Sequence, residues 1–147
     1  MNIYEKLEKA RKIIRDKHVS KDGSGYNFDY FTPTMVSNIV AEVCEEVKLT
    51  CHPSLNRNEF GLYQELIIID LEKPEDTITT VQATAMCDMK NANDSQKMGA
   101  TDTYSERYIK MKAFEIKDNS LDPDGHQSHD KDKSVTPAVN NDGLSSL

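Results

Sequence analysis

The apolar positions of this chain change period along its length. Ile3, Leu7, Ala10 and Ile14 recur at helical spacing, while Lys9, Lys12 and Arg15 fall on other sides. An amphipathic helix is expected there. It runs out in Ser20-Lys21-Asp22-Gly23-Ser24-Gly25, a stretch rich in turn formers. In Tyr26-Asn27-Phe28-Asp29-Tyr30-Phe31 the aromatics alternate on Tyr26, Phe28 and Tyr30, which predicts a short half-buried strand. The helical period returns at Val36, Ile39, Val40, Val43 and Val47. Thr32 is placed to cap this second helix, and Pro33 suits its first position.

Three segments of strand character follow. Leu49 to Leu55 is the first, and Phe60 to Glu72, centred on Leu66-Ile67-Ile68-Ile69, is the second. Thr77 to Cys87 is the third, entered through the turn Lys73-Pro74-Glu75-Asp76. Strands joined by such short links pair antiparallel, so a three-stranded meander is expected. Met89 to Ser95 is a polar loop, where Asn93 or Asp94 can cap a last helix from about Gln96 to Phe114. Tyr104, Tyr108 and Met111 fall on one face of that helix, with Tyr108 expected in the core and Tyr104 left open. Beyond Ile116 there is no aromatic residue, and 118–147 reads as a disordered acidic and polar tail. The expected fold class is α+β, with an N-terminal helix, then a β-β-β-α core built on an antiparallel three-stranded sheet. The expected domain is 1–117.

Composition narrows the function classes. No run of about 18 apolar residues is present, so no membrane span is expected. Met1 to Arg15 lacks the apolar segment of a secretory signal, and a cytoplasmic protein is the expectation. Cys44, Cys51 and Cys87 show no CxxC spacing, so all three read as buried or half-buried thiols. Cys51 and His52 are neighbours in a strand and point to opposite faces, which argues against a shared ligand role. His126 and His129 in the tail have no companions that would make a metal site. No GxxxxGK[ST] run occurs, and no cofactor is expected.

The net charge of -7 speaks against a role on phosphates, but the charge is segregated. Glu5 to Asp22 holds seven basic and four acidic residues, and Lys90 to Lys112 holds five and three. Gly23 to Met89 holds three and eleven, and the segment from Lys117 onward three and six. Two basic segments brought together by folding can make a basic strip on an acidic protein; two ordinary solvated helix faces are the alternative.

The most informative stretch is Gln96-Lys97-Met98-Gly99-Ala100-Thr101-Asp102-Thr103-Tyr104-Ser105-Glu106-Arg107-Tyr108, followed by Lys110, Met111, Phe114 and Ile116. It resembles the Erf family of phage-type single-strand annealing proteins, marked by a Gln, a Gly-Ser or Gly-Ala pair and Thr-Tyr-x-x-Arg-Tyr. Tyr30-Phe31-Thr32-Pro33 is similar to the family's N-terminal element. Ala100 stands where Ser is common, and Asp102 and Glu106 put negative charge beside the motif arginine. The resemblance implies ATP-independent binding and annealing of single-stranded DNA in recombination, with no catalytic residues. It also implies assembly into a homo-oligomeric ring or helical filament, with an exonuclease or a host single-strand binding protein as candidate partners. A protein-interaction module of the same fold, without annealing, is the rival reading, and the acidic charge is what favours it.

The expected DNA-binding residues are Lys97, Gly99, Tyr104, Arg107, Lys110, Lys90 and Arg57. Arg107 and Lys110 are three apart on one helix face, with Lys97 extending the strip, as a groove tracking phosphates needs. An exposed face balanced by Glu106 is the other reading. Gly99 either lets a backbone or phosphate approach or packs tightly on the sheet. Lys90 and Arg57 lie on or near strand ends and could widen the path, and Lys9, Lys12 and Arg15 could add to it from the first helix. Lys112 points elsewhere and is the weaker candidate.

Overall fold

A computed structural model describes residues 1–18 and 30–117 of the chain. All but Tyr30 and Lys117 of these belong to one compact unit. Its elements are α1 (Ile3–His18), α2 (Pro33–Val47), β1 (Leu49–Asn58), β2 (Gly61–Asp70), β3 (Thr77–Ala83) and α3 (Asp94–Phe114). The α+β class, the antiparallel meander and the closing helix are as the pattern predicts. The expected tail lies outside the described residues, and so does the expected strand except for its end. There Tyr30 sits in a bend and Phe31 is in no regular element.

Local chemistry sets the helix limits. The Thr32 hydroxyl accepts the Met35 N–H at 3.2 Å with Pro33 opening α2, so a donor that the first turn would leave unpaired is satisfied. Asn93 and Gln96 form a reciprocal capping box at the start of α3, at 2.8 and 2.9 Å. Lys48 and Glu115 end α2 and α3 in the left-handed conformation, and each cap N–H returns to a carbonyl of the last turn.

The sheet order is β1-β2-β3, antiparallel throughout, with Leu66 opposite Pro53 on one side and Thr80 on the other. Pro53 is tolerated because β1 is an edge strand among the described residues. The β1–β2 hairpin extends β1 to Asn58, beyond the expected Leu55, and closes at Gly61, whose φ of 124° suits glycine. β3 stops at Ala83, short of the expected Cys87. Thr84 makes one more bond to Leu62, and then β2 ends at Gly61 and offers no further partner. The Thr101 hydroxyl of α3 instead accepts the Cys87 N–H at 2.9 Å, drawing the chain off the sheet.

One face of the sheet carries the core. Leu66 and Ile68 are fully buried with Val36, Val40, Val43, Ile109 and Phe114, and the expected stripes Ile3, Leu7, Ala10, Ile14 and Val36, Ile39, Val40, Val43, Val47 are all buried. The alternate positions Ile67, Ile69 and Val81 lie on the other face, with Val81 largely exposed. Polar ties help to hold α1. The buried Lys6 Nζ lies 2.5 Å from Asp70 and 2.7 Å from Glu72, at the end of β2. Arg11 donates twice to the Ala113 carbonyl, at 3.0 and 2.9 Å, satisfying an acceptor at the end of α3.

Candidate nucleic-acid interface

α3 lies over the sheet and beside α2, and this double packing decides which of its side chains reach solvent. On the sheet side, the Gln64 amide donates to Ser105 Oγ at 2.6 Å and to Asp102 Oδ1 at 3.1 Å. Toward α2, Lys110 Nζ lies 3.0 Å from Glu106 and 3.5 Å from Ser37 Oγ. Arg107 is 2% exposed and donates through Nε to the carbonyl of Phe31, just before the α2 cap. The Arg107 guanidinium also lies over the Tyr108 ring, 4.8 Å from its centroid, a cation–π contact.

The expected cation strip is therefore not on the surface. Arg107 and Lys110 are buried, because α2 and the segment entering it cover that side of α3. Lys97 does not extend their strip either. Thirteen residues at 3.6 per turn set it roughly 140° around the axis from Lys110.

What reaches solvent is a different ridge. Lys97, Tyr104, Tyr108 and Lys112 fall within roughly 80° of one another on the helix. Tyr104 is 45% exposed and Tyr108 42%, so the core position expected for Tyr108 is not found. The reason is that Ser105 is held by Gln64 of the sheet and Thr101 by Cys87 beyond β3, while Arg107 and Lys110 reach Phe31 and Ser37 at α2, so these polar residues are inside and the tyrosines are left outside. Lys112 is exposed and Lys97 half-buried, and neither forms an ion pair with the described residues. Lys112, read from the sequence as pointing elsewhere, lies on this ridge. It stands four residues after Tyr108, one turn further along the same side of the helix.

Arg57 and Gly99 come together. They line an open groove of about 550 Å³ between the β1–β2 hairpin and the first turns of α3, with Asn56, Leu62, Met98 and Asp102. A Cβ built on Gly99 would meet nothing within 4 Å, so tight packing on the sheet is not why glycine stands there. Lys90 is exposed on the loop leading to α3. Of the basic residues of α1 considered above, Lys12 pairs with Asp16 at 2.7 Å, Arg15 approaches Glu115 at the far end of α3, and Lys9 is exposed. No group of three or more His, Cys, Asp or Glu able to hold a metal occurs among the described residues. Nor is any helix among them long and apolar enough to cross a membrane.

The ERF superfamily model matches the chain over residues 3–146, taking in the whole described fold and the ridge on α3. The chain belongs to the ERF superfamily. No curated protein and no solved structure matches it. For this ERF superfamily member the motif that carries the likeness divides by burial. Its Arg107 is internal, as is Lys110 beyond it, and its Tyr104 and Tyr108 are external.

Proposed function

We propose that this ERF superfamily protein binds single-stranded DNA and anneals complementary strands without ATP, in recombination. The observation that carries the reading is the exposed pair Tyr104 and Tyr108, bracketed on one helical ridge by Lys97 and Lys112. Base faces can stack on the two rings while Watson–Crick edges stay free to find a partner strand. The lysines supply charge for phosphates, which position a strand without reading its sequence. Arg57 and Gly99 continue the path, since the bare backbone at Gly99 lets a phosphate or sugar come close. Lys90 adds charge at the entrance to the same helix. Arg107 and Lys110 serve from inside, holding the ridge in place.

The ridge carries only two lysines in one protomer, and the net charge is -7. A homo-oligomer, as a ring or filament, repeats the ridge and multiplies its contacts with one strand. The sheet face bearing Val81, and Phe60 at the tip of the β1–β2 hairpin, 90% exposed, are surfaces a neighbouring copy could cover.

The test measures binding of a labelled oligonucleotide and the rate of pairing of two complementary strands, without nucleotide, across a salt series. Both activities are expected, with binding falling as salt rises. Replacing Tyr104 and Tyr108 together by Ala should abolish both while the fold is kept. Absence of binding at low salt, alongside stable protein partners in pull-downs, would instead support a protein-interaction module of this fold.

A further inference from the structure

Cys44 and Cys51 are seven positions apart in sequence, on two different elements. Cys44 lies in the last turn of α2 and Cys51 near the start of β1, and the corner between them turns on the left-handed Lys48. Their sulfurs lie 3.9 Å apart, in thiol hydrogen-bond contact. Cys44 is buried and Cys51 half-buried, both as free thiols. Both line an open cleft of about 400 Å³, together with Glu45, Thr50, Leu71 and Lys110. A small oxidant therefore has a route to Cys51, with Cys44 waiting behind it.

We propose that Cys44 and Cys51 form a reversible dithiol–disulfide couple, a modification site that responds to peroxides. The reading is independent of DNA binding. The two sulfurs need only close from contact distance to a bond of about 2.05 Å, and a last helical turn is where a backbone yields most readily. Cys51 is the attacking sulfur. Hydrogen bonding from Cys44 holds its thiol below the ordinary cysteine value, and the Lys110 ammonium pulls the same way, against burial and Glu106. Cys44 is held above that value by the same hydrogen bond and by burial, which keeps it a thiol.

The chemistry closes in two steps. The Cys51 thiol gives its proton to water, and the thiolate attacks one oxygen of hydrogen peroxide. The O–O bond breaks, leaving Cys51 as a sulfenic acid, and the departing hydroxide takes up a proton to become water. Cys44 sulfur then attacks Cys51 sulfur. The S–O bond breaks, the Cys44 proton leaves with the hydroxyl as a second water, and the disulfide forms. Two thiols have been oxidised by two electrons and one peroxide reduced. An external dithiol reverses it by exchange. The loop closed is short, so the entropic gain in stability is at the low end for a disulfide. That suits a bond meant to be undone.

The full-length protein is treated with hydrogen peroxide, free thiols are blocked, and a tryptic digest is mapped without reduction. Lys48 separates the two cysteines, so the expected product is the peptide ending at Lys48 linked to Leu49–Arg57. The intact mass should fall by two hydrogens, Cys87 should remain open to alkylation, and dithiothreitol should restore both thiols. Cys51→Ser should abolish the link. Cys44→Ser should let the Cys51 sulfenic acid be trapped by a 1,3-dione. Recovery of both thiols unchanged would overturn the proposal, as would passage of Cys51 to the sulfinic acid without a link, or bridges only between chains. The wild-type map decides the matter even if a serine variant does not fold.

Discussion

The Arg107 side chain donates through Nε to the backbone carbonyl of Phe31, a residue 76 positions earlier in the chain. The most cationic residue type in the family motif is thus spent on holding the entry to α2 against α3. A buried guanidinium is stable only with such partners, and its stacking over Tyr108 ties this internal clamp to the external ridge.

Arg107→Ala should therefore act on stability first. Loss of a charged donor to a buried carbonyl, with the cavity left behind, should cost about 2–4 kcal/mol in chemical denaturation. Unchanged stability with lost DNA binding would place Arg107 at the nucleic acid after all.

Tyr104→Ala should do the reverse. Being exposed, it should change stability by no more than about 0.5 kcal/mol. Its loss should weaken oligonucleotide binding roughly tenfold, as expected for one stacked base. Tyr104→Phe keeps the ring and should bind nearly as wild type; titration by fluorescence anisotropy compares the three.

Gly99 separates packing from binding. Gly99→Ala meets no neighbour and removes a helix-disfavouring residue, so stability should rise by about 0.5–1 kcal/mol. Gly99→Leu should also fold, yet place a side chain in the groove beside Arg57 and weaken binding. Equal affinity for wild type and Gly99→Leu would remove that groove from the DNA path.

The Lys6 cluster gives a pH dependence with a defined sign. Hydrogen bonding to Lys6 holds the Asp70 and Glu72 carboxyls below their ordinary values of 3.8 and 4.5. Burial lowers Lys6, but the hydrogen bonds and charges of Asp70 and Glu72 outweigh it and hold the ammonium above its ordinary 10.5. The carboxylates' share of stability is complete above their ordinary values and is lost as pH falls through the depressed ones. The lysine's share is complete below 10.5 and is lost only as pH rises through its raised value. Melting curves across pH should show an acid limb that is flatter in Asp70→Asn than in wild type.

Most of the fold was legible because its causes are local. Thr32 with Pro33, and Asn93 with Gln96, mark helix starts through groups no more than three residues away. The alternation of Leu66 and Ile68 with Ile67 and Ile69 assigns the two sheet faces whatever else the chain does. Strand ends were less legible, since β3 stops where β2 has no more backbone to offer and Thr101 intervenes.

The surface of α3 was decided by tertiary structure alone. Polar residues Thr101, Ser105, Arg107 and Lys110 are inside, and Tyr104 and Tyr108 outside, which inverts the pattern that hydrophobic periodicity reads. Burial of those groups is permitted by partners distant in sequence: Gln64 for Ser105, Phe31 for Arg107, and Ser37, together with the local Glu106, for Lys110. The contact between Cys44 and Cys51 has the same origin, since only packing of α2 on β1 brings those thiols together. The motif on α3 thus disclosed the family from sequence by itself. Which of its residues meet solvent depended on what α2 and the sheet left uncovered, because a buried polar group is stable only where the fold supplies its partner.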